Sequence, residues 1–387
     1  MNILLISTSF TGNLKEATNI TITDFAHQLQ KSGHKVNIIS QGREGLPDFE
    51  IFKGIPVYRY SRISKCWPIR RTSPFLSIYF ALKKIKKQPL LNPDIIHSFS
   101  SAVPLAFNGI MAKRLFPAAK NIHTLKSRSG EKMGNSMYFL LRFMDLITVA
   151  TQDHKSELVS KGIKEEKIKL IRSHINTAKF TPLPKDNLKE KHSLADKKII
   201  LFYGAMRDDK GTYDLFRSMP AVIQQNPDAL FIYVCRFSNI DRKYRNFIID
   251  NRLQDHVKII TDEVDIVEYV NLADLAVFPY RTLTRTESNP SCVLECLACK
   301  TTVITSTLEE LREILIEDKD CLMVKPADPS AIAEKIISAL KNEAKMKRLN
   351  GHGFRTAQNF SINKITTQFV DEYEKLLAGG EVKTDIR

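Results

Sequence analysis

The sequence ESNPSCVLE at residues 287–295 carries two carboxylates, Glu287 and Glu295, on either side of a helix-start signal. An Asn directly before a Pro favours a helix start, because proline fits the first turn, where no backbone N–H is required. The preceding apolar run at 272–280 indicates a strand, and residues 292–298 indicate a helix. The free N–H groups at the start of that helix suit an anionic ligand. Two acids around such a start suggest a ligand in which a sugar is joined to a phosphate.

Length and composition indicate a globular protein with more than one domain. The chain has 387 residues, 43% of them hydrophobic and 26% charged, which is too long for one ordinary core. No apolar run reaches the roughly 18 residues of a membrane span. The start, MNILLIST, lacks a basic region and a cleavage site, so we expect a core strand rather than a signal peptide. Six scattered cysteines without a disulfide framework favour a reducing cytoplasm.

The excess of basic over acidic residues is confined to the first half of the chain. Residues 1–180 hold 28 Lys and Arg against 12 Asp and Glu, whereas residues 181–387 hold 30 against 31. The stretch 53–92 has ten basic residues, no acid and the single tryptophan, Trp67, near Arg70 and Arg71. Such a segment can lie on an anionic membrane surface. The alternative is a core helix with a solvated basic rim.

The order of predicted elements indicates two similar α/β halves. Each half alternates apolar strands with amphipathic helices, the pattern of a Rossmann-like, doubly wound parallel sheet. We expect an N-terminal domain at 1–180, a linker at 181–196, a second domain at 197–360, and a final helix at 361–378 that crosses back to the first domain. Ligands of such sheets bind beyond the carboxyl ends of the strands, so the two sheets are expected to face a ligand cleft.

Several ordered motifs resemble the family-4 retaining glycosyltransferases, which have the GT-B fold. The motifs are the Glu287 to Glu295 spacing, GAMRDDKG at 204–211, the block at 144–183, and the runs LECLACKTTVITS and DCLMVKPADPSAIAEKI. The resemblance covers nearly the whole chain. It implies that Glu287 contacts hydroxyls of the donor sugar and that Glu295 holds the ribose of the nucleotide. It also implies that the helix start binds the donor phosphates through Ser288, Asn289, Pro290, Ser291 and Cys292.

Basic residues in and near the glycine loops complete the implied site. In GAMRDDKG, Gly204 and Lys210 match the family pattern, but Ala205 replaces its Arg, and Arg207 is the expected substitute. Two cations there would stabilise the charge that the leaving diphosphate gains. His123, at a predicted strand end, matches a histidine beside the donor sugar. Gly12 matches the end of the family's first glycine loop, where no dinucleotide fingerprint is present.

The resemblance implies a metal-independent glycosyltransferase that needs no cofactor. The donor is expected to be a UDP- or GDP-sugar, and the acceptor a glycan or a lipid-linked precursor. The enzyme is expected in the cytoplasm, at the inner face of the cell membrane, where Trp67, Arg70 and Arg71 contact the membrane or the acceptor. A nucleotide-sugar epimerase of the same fold and a non-catalytic GT-B scaffold subunit are the alternatives. Nucleic-acid binding would rest on charge alone and is not expected.

The cysteine spacing near the motif has a structural explanation. Cys292, Cys296 and Cys299 show a CxxxCxxC pattern that also occurs in iron–sulfur sites. On a helix they form one stripe, and cysteine is a common core residue. We therefore expect buried thiols and no metal.

Overall fold

The chain forms two compact units in the computed structural model. One unit comprises Met1–Ser173 with Ile362–Arg387, and the other comprises His174–Ser361. The structure describes residues 1–7, 10–12, 17–42, 45–60, 79, 82–83, 86, 92–100, 103–127, 135–235, 240–284 and 288–379. The statements below concern these residues.

The first unit is built on an eight-stranded sheet with the order β3-β4-β2-β1-β5-β6-β7-β8. Its strands are β1 (Asn2–Ile6), β2 (Lys35–Gln41), β3 (Phe49–Phe52), β4 (Ile55–Tyr60), β5 (Ile95–Ser100), β6 (Lys120–Leu125), β7 (Leu146–Val149) and β8 (Ile168–Leu170). All neighbours are parallel except β3, which pairs antiparallel with β4. Its helices up to residue 173 include α1 (Ala17–Lys31), α2 (Phe107–Leu115) and α3 (Gln152–Ser160).

The central strands of this sheet are buried on both faces. Ile3 and Leu5 pack in one hydrophobic cluster, and Leu4 and Ile6 pack in another. Successive side chains of a strand point to opposite faces. A parallel sheet covered on both sides therefore requires a continuous apolar run, which is what NILLI supplies.

The second unit contains a six-stranded parallel sheet with the order β11-β10-β9-β12-β13-β14. Its strands are β9 (Lys198–Tyr203), β10 (Ala229–Val234), β11 (Val257–Ile260), β12 (Leu275–Phe278), β13 (Thr302–Ser306) and β14 (Leu322–Val324). Its helices are α4 (Lys185–Lys191), α5 (Thr212–Gln225), α6 (Arg242–Asp250), α7 (Ile266–Leu272), α8 (Ser291–Ala298), α9 (Glu309–Arg312), α10 (Pro329–Leu340) and α11 (Glu343–Ala357). The chain order reverses between β9 and β12, which creates a switch point beside the start of α8.

The segment expected as a linker, 181–196, belongs to the second unit. It contains helix α4, and Lys189 Nζ donates to Asp274 Oδ2 at 2.7 Å and to the Lys197 carbonyl at 2.8 Å. The Leu183 N–H donates to Asn271 Oδ1 at 2.8 Å. The polar composition that suggested a linker instead supplies specific partners, so the segment is anchored to the unit that follows it.

The last helix, α12 (Ile362–Ala378), is part of the first unit. Phe369 packs against Phe25 of α1 with ring centroids 5.1 Å apart. The Tyr373 hydroxyl lies 2.5 Å from Nδ1 of His97, which is fully buried on β5. Apolar packing and one buried hydrogen bond therefore hold the end of the chain on the first sheet.

Part of the basic stretch 53–92 lies beyond what the structure describes. Between residues 61 and 91 only Tyr79, Leu82, Lys83 and Lys86 are described, and Leu82 is buried. Trp67, Arg70 and Arg71 lie outside the described residues. None of the helices in the described ranges is long and apolar enough to cross a membrane.

Two glycines in α11 provide a test of how this helix packs. A Cβ on Gly353 would lie 2.6 Å from Leu297 Cδ2 and 2.7 Å from the Asp320 carbonyl oxygen, whereas one on Gly351 would meet nothing within 4 Å. We expect Gly353→Ala to destabilise the protein by about 1–3 kcal/mol through overpacking. Gly351→Ala should stabilise it by up to about 1 kcal/mol. Urea unfolding measures both, and equal shifts in the same direction would contradict this packing.

Candidate functional site

Two loops lie side by side at the carboxyl ends of β9 and β12. The first begins at Gly204 (φ +127°) and ends at Gly211 (φ +66°). A Cβ on Gly211 would stand 1.8 Å from the carbonyl oxygen of Pro279. The Arg281 and Thr282 N–H groups donate to the Asp209 carbonyl at 2.9 and 3.3 Å. The loops can approach this closely only because residue 211 has no side chain.

An ion pair between exposed Arg281 and a buried carboxylate reinforces the contact between the loops. Arg281 donates through Nε and one terminal nitrogen to the two Asp214 oxygens, at 2.6 and 2.7 Å. Asp214 is fully buried in the first turn of α5. The hydrogen bonds that Arg281 donates to Asp214 raise the pKa of Arg281. This bidentate geometry fixes the loop that follows β12 relative to α5.

Arg207 is paired within its own loop. Its Nε donates to Asp209 Oδ1 at 2.8 Å, and a terminal nitrogen contacts the other oxygen of the same carboxylate. The hydrogen bond from Arg207 lowers the pKa of Asp209. The guanidinium expected to compensate for Ala205 is thus held by a neighbouring acid in this conformation.

Lys210 points back toward the start of its loop. Its Nζ lies 3.5 Å from the position that a Cβ on Gly204 would occupy, and 6.0 Å from the ring centroid of Tyr280. Over the described ranges, no carboxylate forms an ion pair with it. An ammonium group beside a glycine backbone, without an acid partner of its own, is suited to bind an anion.

Glu295 lies within α8 and is oriented by Tyr203, the last residue of β9. The Tyr203 hydroxyl donates to Glu295 Oε2 at 2.6 Å and lies 3.1 Å from the Cys292 carbonyl oxygen. Burial, and next the charge of Glu295, raise the pKa of Tyr203 well above its ordinary value. Tyr203 therefore remains protonated and serves as the donor that orients this carboxylate.

The start of α8 is buried and contacts Tyr280. Ser288, Asn289 and Pro290 are buried, and Ser291 begins the helix. The Cys292 thiol is 3.0 Å from the Tyr280 hydroxyl, and burial raises its pKa to about 11. The cysteine is consequently a packed thiol rather than a nucleophile.

The other cysteines of the stripe behave as the sequence indicated. Cys296 and Cys299 are buried free thiols. In the part of the chain that is described, no group of three or more His, Cys, Asp or Glu side chains could hold a metal ion.

Glu287, the first acid of the motif, lies outside the described residues. The sequence-based role of this side chain therefore stays a prediction. Its neighbour in the motif, Ser288, is 2% exposed.

His123 is buried inside the first unit. Its Nδ1 lies 2.6 Å from Ser98 Oγ, and its Nε2 lies 3.1 Å from Ser100 Oγ. Burial lowers its pKa to about 3 from an ordinary value of 6.5. The neutral imidazole is enclosed by two serine hydroxyls and is not exposed. The resemblance had implied that His123 contacts the donor sugar, and the buried position in this structure does not show such a contact.

Gly12 also lies in the first unit, with φ +79°. A Cβ there would lie 3.2 Å from the Phe52 ring and 3.7 Å from an Arg59 nitrogen. This loop therefore packs against the β3–β4 hairpin, which the sequence reasoning did not predict. The hairpin signal was Gly54 between two short apolar runs.

Sequence reasoning also missed Tyr203, Tyr280 and the Arg281–Asp214 pair. Their polar atoms meet partners from 12 to 92 positions away in the chain. The only local signal was a tyrosine at the end of each of two otherwise apolar strand runs, directly before Gly204 and directly after Pro279.

Comparison with solved structures identifies the class of fold. The structure of HepE from Anabaena in complex with UDP and glucose superimposes with a TM-score of 0.78 at 16% identity, over 97% of this chain and 100% of that one. Sucrose-phosphate synthase from Thermosynechococcus elongatus gives a TM-score of 0.77 at 20% identity, over 98% and 99%. The fold is GT-B, which confirms the predicted class.

Sequence comparison then gives the family. Residues 184–355 match Glycosyl transferases group 1, and residues 18–179 match Glycosyltransferase Family 4. The capsular polysaccharide biosynthesis glycosyltransferase CapM of Staphylococcus aureus is 23% identical over 92% of this chain and 93% of its own. The chain belongs to the family-4 type of GT-B glycosyltransferases, of which it is a divergent member, and it is a transferase.

The buried His123 makes stability depend on pH. The folded state keeps the imidazole neutral down to about pH 3, whereas the unfolded chain is protonated below 6.5. The contribution of His123 to the free energy of unfolding is therefore fully present above about pH 6.5. It decreases as the pH falls toward 3, by up to about 1.4 kcal/mol per pH unit. We expect His123→Gln to flatten this slope, and His352→Gln on α11 to leave it unchanged. Urea unfolding at several pH values measures the slope, and identical slopes for all three proteins would refute the assignment.

Proposed function

We propose that the protein transfers a sugar from a UDP- or GDP-sugar to a glycan or lipid-linked acceptor, with retention of the anomeric configuration. The observation that carries the proposal is the grouping of Glu295, oriented by Tyr203, with the Lys210 ammonium at the start of α8. A carboxylate suits the vicinal hydroxyls of a ribose. An ammonium and free helix N–H groups suit a diphosphate.

Each group has a role in the proposed reaction. Glu295 holds the ribose hydroxyls, and Glu287 contacts hydroxyls of the donor sugar. The backbone from Ser288 to Cys292 binds the phosphates. Lys210 stabilises the negative charge that develops on the leaving diphosphate, so side-chain cations rather than a metal ion carry this charge.

Arg207 is the proposed second cation. Its guanidinium is bound by Asp209 and can contact a phosphate oxygen once that anion competes for the same donors. A diphosphate offers bidentate acceptors of higher charge than one carboxylate. The exposed position of this ion pair, in which the Arg207 side chain is 46% exposed, supports such an exchange.

The proposed retention follows a front-face course. The glycosidic bond to the leaving phosphate breaks as the acceptor oxygen attacks from the same side, and the phosphate oxygen takes the acceptor proton. This route needs no enzymatic base. A neutral, buried His123 is consistent with a supporting role in the first unit rather than proton transfer.

The first unit is proposed to meet an acceptor at the inner face of the cell membrane. The excess of basic residues in 1–180 supports this placement. Among the relatives, alpha-galactosylglucosyldiacylglycerol synthase of Streptococcus pneumoniae is 25% identical over 61% of this chain and 63% of its own. Its name refers to a glycolipid, and a lipid-linked acceptor is the corresponding proposal here.

Nucleotide binding tests the donor site. We expect UDP or GDP to raise the melting temperature of the protein, because a ligand of the folded state alone stabilises it. Glu295→Gln should weaken nucleotide binding about tenfold or more, since it removes a charge-assisted hydrogen bond to the ribose worth about 1.5–3 kcal/mol. Tyr203→Phe should weaken binding by a smaller factor, because it removes only the donor that orients this carboxylate. Glu343→Gln on the exposed start of α11 is the control.

Turnover completes this test. Wild-type protein should release nucleoside diphosphate from a UDP- or GDP-sugar with acceptor extract, and proton NMR of the product should show the donor's anomeric configuration. Release of a free sugar isomer without acceptor would support an epimerase instead. Failure of every nucleotide to shift the melting temperature would refute the donor site.

Vesicle binding tests the membrane contact. We expect binding to vesicles that contain phosphatidylglycerol and little binding to pure phosphatidylcholine, with weakening as salt rises. Replacing Trp67, Arg70 and Arg71 together by Ala, Glu and Glu should weaken binding, because about 1 kcal/mol is expected per basic residue near the surface. Equal binding to neutral and anionic vesicles would contradict the electrostatic part of this proposal.

A further inference from the structure

Two phenylalanines on the first unit are exposed and pack on each other. Phe139 and Phe143 are 55% and 54% exposed, and their ring centroids are 5.0 Å apart in an edge-to-face arrangement. Both lie on the 3-10 helical segment Asn135–Phe143, whose Tyr138 and Leu141 face the core. The segment thus has a buried side that fixes it and an aromatic side that faces outward.

This aromatic pair is unusual for a surface that meets only water. Of the exposed large hydrophobic residues in the described ranges, the phenylalanines all lie in the first unit. Val159, on α3, is 40% exposed and accepts at its carbonyl oxygen from the Gly162 N–H. A Cβ on Gly162 would in turn lie 3.0 Å from Arg142. Contiguous exposed apolar groups of this kind mark interaction surfaces.

Cations adjoin the pair directly. Arg142 is exposed and directly precedes Phe143 in the chain. Lys167 Nζ donates to the Arg142 and Met144 carbonyls, each at 2.9 Å. Lys161 Nζ lies 5.9 Å from the Tyr138 ring centroid. Over the described part of the chain, neither Arg142 nor Lys167 is paired with a carboxylate.

Three acids of the described residues near this surface are paired with other side chains. Glu157 accepts from the Tyr138 hydroxyl at 2.9 Å. Glu165 pairs with Lys155 at 2.9 Å, and Glu166 pairs with Lys164 at 3.7 Å. The surface is therefore apolar at its centre and cationic at its edge, which is the chemistry of an element that lies in the headgroup region of a bilayer.

We propose that Phe139 and Phe143 insert into an anionic membrane surface while Arg142, Lys161 and Lys167 contact lipid phosphates. The inference rests on the proposed membrane contact of the first unit and adds the apolar anchor that charge alone does not supply. A second copy of the chain is the less suitable occupant, because the net charge of +15 and the cationic edge would repel an identical surface.

Vesicle flotation with the full chain tests the anchor. The probes are phosphatidylcholine vesicles and vesicles of equimolar phosphatidylcholine and phosphatidylglycerol. We expect the double variant Phe139→Ser, Phe143→Ser to bind the anionic vesicles about tenfold more weakly. Arg142→Glu should weaken binding and reduce its salt dependence. The matched control is Ile249→Ser, which removes a 61% exposed residue from the second unit and should bind as the wild type does.

Fluorescence quenching tests the insertion of the pair directly, without relying on a loss of vesicle binding. In a Trp67→Phe background, Phe139→Trp places a single fluorophore in the pair, and brominated acyl chains should quench it on vesicle binding. Trp introduced by Ile249→Trp in the same background should not be quenched. Donor turnover is measured in solution with every variant, so the anchor and the glycosyl transfer are judged separately.

Three outcomes would overturn the anchor. They are unchanged vesicle affinity of the double variant, equal loss with Ile249→Ser, and absence of quenching at position 139 in protein that floats with vesicles. A dimer that dissociates only in the double variant, with vesicle binding unaltered, would assign the surface to a second copy. Retained donor turnover in any of these cases would leave the proposed transfer reaction standing.

Discussion

The close approach of Gly211 to Pro279 is the constraint on which the candidate site depends. It brings the loops after β9 and β12 into backbone contact, with a hypothetical Cβ only 1.8 Å from a carbonyl oxygen. Three further interactions use the same contact: two N–H groups on the Asp209 carbonyl and the bidentate pair of Arg281 with buried Asp214. Separation of the loops would leave Asp214 as an unpaired buried carboxylate, which is strongly unfavourable. The pair with Arg281 therefore stabilises the contact between the loops. Lys210 lies in the first of these loops, and α8 begins after the second, so this contact positions both.

In the candidate site, a neutral hydrogen-bond donor contributes to the geometry as charged groups do. Tyr203 has a raised pKa, so it remains a donor to Glu295 at any ordinary pH. A carboxylate that accepts a hydrogen bond from a fixed protein donor has a restricted orientation before a ligand arrives. Lys210 is the complementary case, because its ammonium has no acid partner in the described ranges and remains available. The site thus combines a carboxylate oriented by Tyr203 with an ammonium group that has no acid partner among the described residues.

The sequence predicted those parts of the molecule whose signals are local. The helix start at Asn289-Pro290, the apolar strands NILLI and KIILFY and the two-half alternation all depend on neighbours within a few residues. They predicted two α/β halves, whereas the GT-B class followed from the resemblance of the ordered motifs to a known family. Contacts between distant positions carry no such signal. Tyr203 and Glu295 are 92 residues apart, and the polar segment at 181–196 resembled a linker because Asp274 and Asn271, its partners, lie about 85 residues away. His123 is the converse case: its motif was recognisable, but the hydroxyls of Ser98 and Ser100 that enclose it come from the neighbouring strand.

The two units differ in whether their basic side chains are paired with acids. In the second unit, Lys and Arg are balanced by acids, and the pairs at Arg281 and Arg207 lie within one loop system, so charge there organises a small site. In the first unit the excess is large, and cations such as Arg142 and Lys167 lie beside exposed aromatic rings and donate at most to carbonyl groups. The field of paired charges, as in the second unit, has a short range, because each charge is cancelled by its neighbour. An unbalanced surface excess acts over about a Debye length, roughly 8 Å at physiological salt. The second arrangement suits an extended anionic surface, whereas the first suits a single small anion, and the chain needs both if its acceptor is held at a membrane.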